Sequence, residues 1–151
     1  MVFRVILAFL AAVVVAGVLA ATASTQFVLA ELSGLGVAIP LGARLSMTAQ
    51  DIVGMGTLYF PIIAVAFLIA FPVAALIVRF LLPGWSIVGF TLAGFVAILS
   101  ALLVMIAIFG LVPVAGARSI PGMLAQCLAG AAGGYFFARL VQSAPRDPAP
   151  A

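Results

Sequence analysis

The chain has 151 residues, 68% of them hydrophobic and 6% charged, a formal net charge of +3 and a mean hydropathy of +1.49. A soluble domain needs roughly 25% charged residues to cover its surface, whereas each charge at a bilayer centre costs about 2.5 kcal/mol or more. The composition therefore excludes a soluble globular domain, makes the lipid bilayer the first expected partner, and leaves too few basic residues for nucleic acid.

Roughly 20 apolar residues at 1.5 Å each cross the ~30 Å hydrocarbon core. Four stretches meet that length, at about residues 5–23, 58–82, 86–112 and 121–141. The expected fold is all-α, a polytopic four-transmembrane-helix bundle forming a single membrane domain over residues 1–141. The chain has no lysine, so orientation rests on arginine: with the N-terminus inside, Arg4, Arg79, Arg139 and Arg146 are cytoplasmic and Arg44 and Arg118 are outside. Tyr59, Trp85 and Tyr135 fall near the expected helix ends, where amphipathic rings prefer the headgroup level. The expected location is a bacterial inner membrane with both termini cytoplasmic.

The first span has a rival reading as a signal peptide, because Arg4 precedes an apolar run ending in Ala21-Thr22-Ala23. Signal h-regions cover about 7 to 15 residues, and this run is longer, which favours a retained helix. Residues 24–57 follow as an apolar extracytoplasmic cap between the first two helices. Leu29, Leu32, Leu35, Val37, Ile39 and Leu41 are too apolar for a free loop. Gly34, Gly36, Pro40 and Gly42 interrupt the segment. Thr48 and Asp51 match a capping pattern. These signals predict a first helix that overshoots or bends near Gln26, a Gly/Pro turn, and a short helix from about Ala49 into the second span. The cap reads either as a lid on its own bundle or as a surface that receives a partner protein or a lipid.

The second span contains Pro61 and Pro72. Pro61 is expected in a first turn, and Pro72 in the interior as a kink. Small residues recur every four positions in each span, a spacing that lets backbones approach without a hydrophobic driving force. Ala12, Ala16 and Ala20 form one row, Ala66, Ala70 and Ala74 a second, and Ala93, Ala97 and Ala101 a third. The fourth span is densest, with Gly122, Gln126, Gly130 and Gly134 on one row and Ala125, Ala129 and Gly133 beside it. Gln126, Gly130 and Gly134 are the expected helix-packing face, used within the bundle or for self-association or a membrane-protein partner through helix 4. Ser119 and Pro121 suit the start of that helix. Residues 142–151 read as a short, disordered cytoplasmic tail.

The outer side collects Glu31, Arg44, Asp51 and Arg118, two acids and two bases. In a half-wet region such groups gain by pairing, so they are expected to form an outer polar network, structural or ligand-binding. The two outer connections repeat a Gly-Ala-Arg after a proline, at Pro40 to Arg44 and Pro113 to Arg118. Unequal spacing to Arg79 and Arg139 argues against a true duplication.

Catalytic chemistry has little to work with. There is no histidine for a general base, metal or haem, and no lysine for a Ser-Lys dyad or Schiff base. The single Cys127 lies within the fourth span and is expected to be a small packing residue. A Glu31–Asp51 carboxylate pair is the one acid/base alternative. No catalytic, metal or cofactor site is expected. The polar groups within spans, Gln126, Ser100 and Thr91, suit interhelical hydrogen bonds better than an ion path. The leading expectation is a non-catalytic accessory or assembly subunit, or a homo-oligomer, acting through helix and cap contacts. The alternative is a carrier or channel for a lipid, apolar or weakly polar solute. A lateral opening between helices favours the carrier, and a closed bundle with one flat small-residue face favours the subunit.

Overall fold

The computed structural model describes residues 2–81, 84–111 and 114–143. Residues 82 and 112 at the expected span ends, Pro113 of the repeated motif, and the tail from residue 144, with Arg146, lie outside these. Among the described residues four helices follow in chain order, α1 (Val2–Gly34), α2 (Leu41–Phe80), α3 (Ser86–Phe109) and α4 (Ile120–Gln142), with a 3₁₀ turn at Ala115–Ala117. All four are long and apolar enough to cross a membrane. A spanning chain must satisfy its backbone internally, and the helix does so segment by segment. The protein is an all-α, four-helix, multi-pass membrane bundle.

The helices run antiparallel in a closed ring, α1 against α2, α2 against α3, α3 against α4 and α4 against α1. They are not equally long. At 1.5 Å per residue, α3 and α4 are each about 35 Å, enough for the hydrocarbon core, while α1 and α2 reach about 50 and 60 Å. Arg4, Arg79, Trp85 and Arg139 mark one end of the bundle. Ser24 and the 3₁₀ turn mark the other, where the Gly116 N–H donates to Ser24 Oγ at 3.1 Å. Beyond that level α1 and α2 continue by about 15 Å as a two-helix hairpin.

The cap is this hairpin, and its internal structure departs from the sequence expectation. α1 overshoots to Gly34, and the Val37 N–H donates to Leu32 O while the Gly36 N–H donates to Ser33 O. With Gly36 at φ +85°, that pairing is a Schellman stop, which needs a residue without a Cβ. Pro40 then supplies the N-cap of α2 at φ −65°, a fixed angle that starts a helix without loss. No separate helix begins at Ala49. Thr48 is interior, its hydroxyl donating to Arg44 O at 2.8 Å, so the capping pattern does not act as one. For the same reason Pro61 lies inside α2 rather than in a first turn, and Tyr59 is a buried mid-helix residue rather than an interfacial anchor. At the far end of the chain the sequence signal does operate: Ser119 caps α4 by accepting from the Gly122 N–H at 3.2 Å, with Pro121 in the first turn.

The core is partitioned by side-chain size. α4 carries small residues on two sides. Gly133 meets α1, where a Cβ would come within 2.9 Å of Ala12 O, Ala16 Cβ and Phe67. Gly130 and Gly134 meet α3, where a Cβ would run into the Gly94 and Phe90 carbonyl oxygens. Close α1–α4 and α3–α4 approach leaves the centre to the large residues of α2, and Ile63 and Phe67 are fully buried there.

Candidate functional site

Two features stand out: a buried polar node near the hairpin end and an apolar cleft near the arginine-rich end. The node is Gln126. Its side chain is fully buried, its Oε1 accepts from Tyr59 Oη at 3.0 Å, and its Nε2 donates to the Ala20 carbonyl at 2.9 Å. One amide thus ties α4 to α2 and α1. Among the described residues no buried side-chain nitrogen or oxygen lacks a hydrogen-bond partner. With one bond on each side of the amide, Gln126 is a fastening between helices.

Two of the outer charges, Asp51 and Arg44, are held by neutral groups. Thr25 Oγ1 donates to Asp51 Oδ2 at 2.7 Å, Arg44 donates to Ser33 Oγ at 3.2 Å, and Gln26 Nε2 donates to Thr48 Oγ1 at 3.2 Å. Together these form a ladder up the α1–α2 hairpin. Glu31 is exposed on α1 near its end, and Arg118 follows the 3₁₀ turn. Among the described residues the ladder joins Arg44 and Asp51 to α1 hydroxyls rather than to each other, because continuous helices set those residues at different heights. The Glu31–Asp51 carboxylate pair expected as the acid/base alternative is likewise not brought together by these contacts. Among the described residues no group of His, Cys, Asp and Glu could hold a metal ion.

The cleft opens sideways between α1 and α2, with a volume of about 440 Å³. Val5, Ile6 and Phe9 form the α1 wall, and Leu68, Pro72 and Ala75 the α2 wall. Its floor is an aromatic cluster centred on Phe71, whose ring stacks on Phe67 and Phe137 at 4.6 and 4.5 Å between centroids. Phe9 and Phe90 approach the same ring edge-on at 6.2 and 5.7 Å. Offset stacks and edge contacts of this kind add to the burial term. Pro72, which lacks the N–H that would bond Leu68 O, and Ala75 put small side chains on the α2 wall.

Several of these residues carried no usable sequence signal. Gly94 has Phe90 and Ile98 at its four-residue neighbours, so the small-residue pattern passes over it, yet a Cβ there would run into Gly130 O of α4. The α3 row of Ala93, Ala97 and Ala101 sits one position away. Phe71, Phe90 and Phe137 lie in three different helices, and nothing local relates them. Comparison of the chain with protein-family models, curated proteins and solved structures finds no match.

Proposed function

We propose that this is a non-catalytic membrane protein that holds the apolar chain of a lipid, or of a lipid-like solute, in the cleft between α1 and α2. The observation that carries the proposal is the cleft itself: a concave, apolar recess lined by residues of the four candidate spans. Its volume falls within the range of small-molecule pockets. Its aromatic floor is preformed, so binding costs little reorganisation. Among the described residues the cleft is lined by apolar side chains alone, which suits an apolar cargo better than an ion. In this reading the arginine-rich end faces the cytoplasm of a bacterial inner membrane, with both termini inside.

The test is photocrosslinking with a diazirine-bearing phospholipid in nanodiscs, read by peptide mass spectrometry. Label concentrated on Val5–Phe9 and Leu68–Ala75 is expected. Equal labelling of exposed α3 positions such as Leu92, Val96 and Leu103 would overturn the reading, because bulk lipid reaches those as easily.

A second reading, an accessory or assembly subunit or a homo-oligomer, is favoured by the hairpin. Leu35, Leu41 and Leu45 are 80%, 75% and 66% exposed on a segment that projects past the bundle, and exposed apolar surface of that kind marks contact sites. The contact would be made there rather than through Gly130 and Gly134, which are occupied by α3. Native mass spectrometry from a gentle detergent separates the two readings: a protein partner in fixed stoichiometry supports the subunit, and a lipid-bearing lone species supports the carrier.

A further inference from the structure

The cleft has a chemically distinct mouth. Leu68, Pro72 and Ala75 line it from α2, and the same helical stripe, at spacings of four, three and four residues, continues to Arg79. Arg79 is exposed, near the last turn of α2. Its guanidinium lies over the exposed Phe80 ring at 5.9 Å from the centroid, a contact through the guanidinium face that leaves the in-plane N–H donors at its edge available. Among the described residues the acids are Glu31 and Asp51, both at the opposite end of the bundle. Among the described residues no carboxylate stands at this end of the bundle. Arg139 lies at similar depth but on another face: on α4 the cleft is lined by Phe137 and Val141, and Arg139, two residues from each, turns away from them. It packs instead over Tyr135 at 5.8 Å.

Resting on the cleft reading above, we infer that the occupant is a net-anionic lipid, with its acyl chain against Phe71 and its headgroup phosphate on Arg79. The charge at the mouth and the apolar floor select the two halves of one amphiphile. A guanidinium binds a phosphate through two parallel N–H donors. A headgroup whose phosphate is balanced by its own ammonium gains less from that cation.

The experiment uses the full chain in nanodiscs, with dioleoyl phosphatidylglycerol and dioleoyl phosphatidylcholine in competition and retained lipid read by native mass spectrometry. One basic residue near an anionic surface predicts about a fivefold preference for phosphatidylglycerol. Arg79→Gln is expected to lower the preference several-fold while both lipids are still retained, and Arg4→Gln, at the same end on α1, to change it less. Arg139→Gln is expected to keep it. Inorganic phosphate alone should not displace the lipid. Equal loss in Arg79→Gln and Arg139→Gln, or no preference in the wild type, overturns the headgroup assignment but leaves the cleft reading standing. Failure of the cleft reading has its own signature, unchanged retention of both lipids in Ala75→Phe and Ile6→Trp, which fill the recess from opposite walls.

Discussion

The Gln126 node makes the sharpest quantitative demand. Hydrogen bonds between membrane helices average about 0.6 kcal/mol, with a maximum near 1.7. Gln126→Leu removes two of them, to Tyr59 and to Ala20, at similar side-chain volume, so no cavity term enters. It also strands the Tyr59 hydroxyl in a dry site. A loss of about 1–2.5 kcal/mol is expected. Tyr59→Phe removes one bond and leaves Oε1 without its donor, for about 1 kcal/mol. In the double variant no stranded hydroxyl or amide oxygen remains, and Ala20 O keeps the donor of its own helix. The double should therefore cost less than the sum by about 0.6–1.7 kcal/mol. The assay is reversible unfolding in mixed micelles or by steric trapping, run as a double-mutant cycle. A coupling within about 0.3 kcal/mol of zero, the range expected of independent sites, would refute the claim that this amide fastens three helices.

Gly130→Leu and Gly94→Leu should each cost about 1–3 kcal/mol, since the added atoms meet a backbone carbonyl that cannot swing aside; Gly54→Leu, in the interior of α2 where a Cβ meets nothing within 4 Å, should cost nothing and gain up to about 1 kcal/mol in the same unfolding assay. Ser24→Ala strands the buried Gly116 N–H and should cost about 1–3 kcal/mol, measurable as a lowered midpoint of unfolding. Cys127 is 1% exposed, so maleimide labelling should appear only after denaturation. In a Cys127→Ala background, Ala49→Cys on the hairpin should react with an impermeant maleimide in right-side-out vesicles and Ser143→Cys should not; the reverse pattern would invert the proposed orientation.

Low charge and long apolar runs determined the class, the helix count and the approximate spans, because the bilayer allows one local solution for such segments. Small-residue spacing marked Ala12, Ala16 and Gly133 as packing residues for an equally local reason, and Ser119 and Pro121 marked the start of α4. What each row packs against was not local. Gly130 and Gly134 fit another subunit as readily as α3 until Gly94 is seen opposite them. The cap misled at Thr48 and Pro61, because a capping pattern and a proline mark a helix start only when no helix already runs through them. The cleft was beyond the sequence altogether: it is a gap, set by how far α1 stands from Pro72 and Ala75, and its floor assembles phenylalanines from α1, α2, α3 and α4. Local chemistry fixes which residues enter the membrane, but the empty space between helices follows only from the packing of all four.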